Sequence, residues 1–260
     1  MSVFRFKRFE VVNERSAMKV NTDGVLLGAA MTVRPSDRRI LDVGTGTGTI
    51  ALMTVQRLSG ANDDSKNAKE LLQGGENCRI PLKIIAIDID EDSADEAAAN
   101  FRNSPWPDAL EACHASLDQY ARSIAENELF DHIVSNPPYF DESLEAPEER
   151  RNNARHTSTG LSYRELLDFA ADRLTPEGII SMVLPSDTER DLTRHARMNG
   201  LHLFRILRIR TVPRKQPSRI IAEFSRKRTQ VLEDEILTIQ NEGKYTQEYL
   251  SLTRDFYLFA

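Results

Sequence analysis

The sequence predicts an α/β fold, a mostly parallel, doubly wound sheet with helices on both faces. Three observations carry that prediction. Short apolar segments alternate with helix-like stretches along the 260 residues. The apolar segments lack the in–out alternation of a half-exposed sheet, as strands covered on both sides do. A glycine-rich turn joins the first such segment to a helix start, the arrangement in which open parallel sheets bind ligands.

Taken in order, "RRILDV" (38–43) reads as a strand and "TIALMTVQRL" (49–58) as a helix. "LKIIAIDI" (82–89) is a second strand, followed by the Ala- and Glu-rich helix "DSADEAAANFRNS" (92–104). A third strand-like stretch precedes "CHASLDQY" (113–120), and "FDHIVS" (130–135) is a further strand. "SYRELLDFAADRL" (162–174) is helical, with Pro176 and Gly178 as stop signals. "GIISMVLP" (178–185) is a strand and "DTERDLTRHARMNG" (187–200) a helix closed by Gly200. "HLFRILRIR" and "RIIAEFSR" complete a set of seven strands. The polar segment 59–79 stands where a short connection would suffice and reads as a surface insertion. The whole chain reads as one domain.

Composition sets the outer bounds. Hydrophobic residues are 40% and charged residues 28%, ordinary for a globular protein. No apolar run approaches the ~20 residues of a membrane span, and the N-terminus shows no secretory signal pattern. Two cysteines, Cys78 and Cys113, make neither a disulfide framework nor a zinc pattern. The expectations are a cytoplasmic protein with no metal, no membrane contact and no obligate protein partner. The net charge of −6 is unevenly spread. Between Arg190 and Arg228, twelve Lys or Arg face only Asp191 and Glu223. That window is either a solvated basic face or a phosphate-facing surface.

The chemistry lies in two stretches. In "ILDVGTGTGTIAL" (40–52), Gly44, Gly46 and Gly48 let the backbone approach a ligand at a helix N-terminus. Gly46-x-Gly48-x-x-Ala51 loosely fits a dinucleotide fingerprint. Asp42, however, would repel a pyrophosphate and would pair with a cationic amino-acid portion. Asp88 ends the second strand, where an acidic side chain accepts hydrogen bonds from ribose hydroxyls. Asp90 or Asp92 better suits the start of the following helix.

The second stretch is "FDHIVSNPPYF" (130–140), a strand that stops at a rigid corner with no N–H donors. The amine of an aromatic or amide nitrogen is a poor nucleophile because its lone pair is delocalised. Two acceptors aimed at its N–H bonds draw density back to nitrogen and stabilise the charge that grows during attack. The Asn136 side-chain oxygen and the Pro137 carbonyl are suited to that task. Tyr139 offers a face on which a flipped base stacks. Pro138 and Phe140 flank the same corner and are candidate substrate contacts.

Asp-x-Gly-x-Gly-x-Gly resembles motif I of class I S-adenosylmethionine-dependent methyltransferases, and Asn-Pro-Pro-Tyr resembles motif IV of the amino-methyltransferases. These resemblances imply a Rossmann-like fold and S-adenosylmethionine as cofactor. The segments 4–31, 150–178 and "LTRDFY" (252–257) narrow the match. Together they resemble the bacterial tRNA1(Val) adenine-37 N6-methyltransferase family across nearly the whole chain. The resemblance implies methyl transfer to adenine N6 in tRNA. It puts the cofactor adenine at Ser116, where an acidic residue is usual, with Asp118 as a substitute. It places Lys19, Thr22 or Asp23 near the cofactor carboxylate. Arg155 and His156 either grip tRNA phosphates or anchor their own loop, and Arg214 and Lys215 are further candidate tRNA contacts. Thr22 or Asp23 is also expected to cap its helix. Rival readings are a glutamine N5-methyltransferase of a release factor, a DNA or rRNA adenine methyltransferase, and a non-catalytic nucleotide-binding module. Only about forty residues precede the glycine loop, too few for the release-factor enzymes' helical substrate domain.

Overall fold

The computed structural model describes residues 2–60, 81–138 and 161–260. A hairpin, β1 (Val3–Arg5) and β2 (Glu10–Val12), leads to α1 (Thr22–Ala30). Then come β3 (Arg39–Val43), α2 (Thr49–Gly60), β4 (Lys83–Asp88), α3 (Glu91–Arg102), β5 (Leu110–His114), α4 (Leu117–Ser123) and β6 (Phe130–Ser135). The second half holds α5 (Tyr163–Arg173), β7 (Leu174–Pro185), α6 (Glu189–Met198), β8 (His202–Arg210), β9 (Arg219–Ser225) and β10 (Glu233–Thr238). A short hairpin, β11 (Gln240–Asn241) and β12 (Lys244–Tyr245), precedes α7 (Gln247–Thr253).

The main sheet runs β5-β4-β3-β6-β7-β9-β8-β10. Only β9 opposes its neighbours. The alternating strand–helix pattern is thus met, with eight strands rather than seven. The extra strand, β10, hides from an apolar search because Glu233, Asp234 and Glu235 are exposed. Charge holds it in place. Arg205 pairs with Glu233 at 3.7 Å and Glu235 at 3.3 Å, and Arg208 with Asp234 at 2.9 Å. Such cross-strand pairs do locally what apolar pairs do elsewhere.

A second correction concerns Pro176 and Gly178. They follow the end of α5, as expected, but fall inside a β7 that begins at Leu174 rather than at residue 178. The register against β6 jumps between Phe130↔Leu174 and His132↔Ile179, so both sit in a bulge. A bulge is where a sheet tolerates proline and glycine.

Alternate strand residues feed two cores, one on each face of the sheet. Val134 of β6 faces the α1–α2–α3 side with Leu26, Leu27 and Met53. Ile133 faces the α5–α6 side with Leu166, Leu167 and Leu192. One polar network crosses the buried sheet. Ser181 Oγ lies 2.9 Å from His132 Nε2 and donates to Glu223 Oε1 at 2.7 Å. Glu223 also accepts from Thr32 N, Thr32 Oγ1 and Arg205 Nη1. Burial pushes the His132 pKa down to about 3, so the ring is neutral. This His–Ser–Glu line is fully buried and braces four strands against the end of α1.

Candidate active site

Strand order reverses around β3, whose neighbours are β4 and β6. The crevice beyond the carboxyl ends of these strands is the ligand position expected of an open α/β sheet. The glycine loop follows β3, Asp88 ends β4 and Asn136 follows β6, so the fold brings all three predicted elements together.

Gly44 N and Thr45 N both donate to Ile87 O, at 2.9 and 3.0 Å, pinning the loop to the end of β4. Gly44, Gly46 and Gly48 all have positive φ, at 70, 56 and 81°. Their roles divide. A Cβ on Gly48 would lie 2.5 Å from the Phe101 ring, so that glycine admits α3 against the loop. Gly46 faces the crevice side, its N–H donating to Asp88 Oδ2 at 2.8 Å. Asp88 Oδ1 accepts from Asp90 N at 2.9 Å, and Asp90, as expected, caps α3.

Asp42 is fully buried. Its Oδ2 accepts from Thr45 Oγ1 at 2.7 Å, and among the described residues its Oδ1 has no partner within hydrogen-bond geometry. Burial pushes its pKa up to about 7, against the lowering effect of hydrogen bonds from Thr45 and the Ala51 backbone, with the Asp88 charge adding to the rise. A buried carboxylate with an orphaned oxygen beside a glycine cradle suits a ligand that brings positive charge. The residues present therefore fit a cationic cofactor such as S-adenosylmethionine.

At the far side of the crevice, Ser135 Oγ donates to Val43 O at 2.7 Å, locking the end of β6 to the end of β3. Asn136 and Pro137 are buried and Pro138 is exposed. Met18, Gly24, Gly44, Gly46, Ile50 and Asn136 share one narrow cavity of about 30 Å3, room for a single water. Met18 closes one wall, its Sδ 3.5 Å from Asn136 Nδ2. Tyr139, Phe140, Arg155, His156 and the 59–79 insertion, save its first two residues, lie outside the described residues.

The sequence missed what carries Met18 there. Residues 13–20 form a strap across the glycine loop. Glu96 of α3, buried, accepts from three consecutive backbone N–H groups: Glu14 at 2.7 Å, Arg15 at 2.9 Å and Ser16 at 3.0 Å. Asn100, one helical turn on, bonds Val12 N, Val12 O and Thr47 O, joining strap to loop. Ser16 Oγ donates to Met18 O at 3.1 Å. The i, i+4 spacing of Glu96 and Asn100 is the available signal, but neighbouring exposed Asp92 and Asp95 look the same in sequence.

The cap of α1 changes, and the other candidates are placed as follows. Lys19 lines the cavity, yet its ammonium is turned back onto Asn13 O at 2.7 Å and closes the strap. Thr22 is exposed and outside the cavity lining. Neither Thr22 nor Asp23 caps α1. Asn21 does, accepting from Gly24 N at 2.8 Å, and Asp23 pairs with Arg219 at 3.0 Å. Ser116, beside the crevice, is the N-cap of α4 in a reciprocal capping box with Gln119, and Asp118 pairs with Arg122. Arg214 and Lys215 are exposed in the β8–β9 turn, on the same rim as Asn136.

The comparisons agree with this geometry. Residues 29–211 match the family described as RMKL-like, methyltransferase domain. A tRNA1(Val) (adenine(37)-N6)-methyltransferase of Bacteroides fragilis is 39% identical over 98% of this chain and 97% of its own length. The protein of that name from Photobacterium profundum is 37% identical, covering 98% of both chains. Among solved structures, a predicted O-methyltransferase from Agrobacterium tumefaciens superposes with a TM-score of 0.62 at 15% identity, over 90% of this chain and 96% of that one. That likeness is one of fold. With its glycine cradle, its Asn136 corner and relatives matched end to end, the chain belongs to the bacterial tRNA1(Val) adenine-37 N6-methyltransferase family.

Proposed function

We propose that this protein transfers a methyl group from S-adenosylmethionine to N6 of adenine 37 in tRNA1(Val). The observation that carries the reading is the meeting of Asn136 and the glycine loop in one cavity at the switch point of the sheet. The cofactor, when bound, supplies a methyl group made electrophilic by its sulfonium. The protein's part is orientation and charge. Asp42 and the Gly44–Gly48 cradle hold the cofactor, Asp88 takes its ribose, and Ser116 borders the adenine end. The Asn136 side-chain oxygen and the Pro137 carbonyl accept the two N–H bonds of the target amine, and the locked strand end keeps them preorganised. Tyr139 stacks on the flipped base, flanked by Pro138 and Phe140. Arg155, His156, Arg214 and Lys215 contact the tRNA. No strong base is needed, because the methylated amine is acidic and gives up its proton to water.

The test is methyl transfer to a tRNA1(Val) transcript and to the same transcript with guanine at position 37. Label in N6-methyladenosine from the first alone is expected. Equal labelling of both would move the target to another adenine, and label in protein glutamine instead would restore the release-factor reading.

A further inference from the structure

Folding redistributes the basic window. Arg205 pairs with Glu223, Glu233 and Glu235, and Arg208 with Glu189 and Asp234. Arg219 pairs with Asp23 and Lys227 with Glu177, while Arg226 bonds Ala171 O. Four of the window's twelve basic side chains are thus paired with acids from outside it.

Besides the exposed Arg214 and Lys215, what stays available among the described residues is one face of α6. Arg190, Thr193, Arg194 and Arg197, with Ser186 and Met198, border an open cavity of about 660 Å3. Arg190 and Arg197 make no ion pair or side-chain hydrogen bond among the described residues, and Arg194 has only the exposed Asp191. Asp187 and Glu189 also line the cavity, but Glu189 is committed to Arg208.

Position makes this face relevant. β7 pairs with β6 in parallel, Ser135 opposite Met182, so both strands end on the catalytic rim. Ser186 follows β7 roughly 10 Å further along, and its N–H bonds Ser218 O of the turn that carries Arg214 and Lys215. Along α6, Arg190, Arg194 and Arg197 span about 10 Å. A nucleic-acid strand presents about three phosphates over that length. Guanidinium groups and the Thr193 hydroxyl are the donors such phosphates use.

We infer that the α6 face of Arg190, Arg194 and Arg197, rather than the arginines of the sheet, grips the phosphate backbone of the RNA whose base enters the catalytic corner. The inference rests on the tRNA reading above, and the experiment separates the two. The full chain would be titrated with tRNA1(Val) across a salt series, beside the R190E/R197E variant and an R102E/K244E control at exposed sites outside the cavity. Expected is a tenfold or greater loss of tRNA affinity for R190E/R197E. Its salt slope should be shallower by about two, with S-adenosylmethionine affinity and melting temperature unchanged. Wild-type affinity and slope in R190E/R197E, or an equal loss in the control, would overturn the surface while leaving the tRNA reading intact. No tRNA binding by the wild type would overturn both.

Discussion

Asp42 concentrates the electrostatics of the site. Its pKa of about 7 lies above the ordinary carboxylate value of 3.8 because it is fully buried. The neutral form is therefore the one the ligand-free fold favours. Stability from this group is full below about 4 and is lost as pH rises through about 7. A cationic ligand has the opposite preference, since it needs the carboxylate. Cofactor affinity is thus expected to strengthen as pH rises from 6 to 8, and D42N to bind weakly with a flat profile. Isothermal titration across that range checks it, and a wild-type affinity that does not change with pH would contradict the role given to Asp42. This residue was legible in sequence because a carboxylate two positions before a glycine turn has few other uses. The orphaned oxygen was not legible, since it depends on which neighbours close over it.

At the scale of elements, the strap joins substrate chemistry to a helix that never reaches the crevice. Glu96 holds three N–H groups of residues 14–16, and those residues set Met18 against Asn136. E96A leaves three donors without their acceptor, worth on the order of 1 kcal/mol or more each. The expected result is a KM for the cofactor raised about tenfold with kcat changed less, and a smaller rise for E96Q, whose amide oxygen still accepts. Unchanged steady-state kinetics in E96A would show that the strap is idle. Five of the helices and seven strands of the main sheet were readable from periodicity and stop signals, while α4, α7 and the two short hairpins were not. β10 was not, because arginine pairs rather than apolar side chains hold it. Nor was Thr22's exposure, which follows from Asn21 taking the cap.

Over the whole molecule, the sheet order does the assembling. Residues 42, 88 and 136 are far apart in sequence and meet only because β3 sits between β4 and β6. The seven-strand expectation captured that topology, and the two motifs located the site within it. The basic window misled in one respect. Charge counted along a sequence ignores partners that folding brings from elsewhere, as Glu233, Asp234 and Glu235 do for Arg205 and Arg208. The account stands or falls on Asn136 as the residue that makes an amine reactive at this rim. The direct measurement is single-turnover methyl transfer from labelled S-adenosylmethionine to tRNA1(Val), wild type against N136A, with cofactor binding measured on the same samples. The prediction is N6-methyladenosine formed by the wild type and a rate lower by a hundredfold or more in N136A, with cofactor affinity within a few fold. A comparable rate in N136A would contradict it.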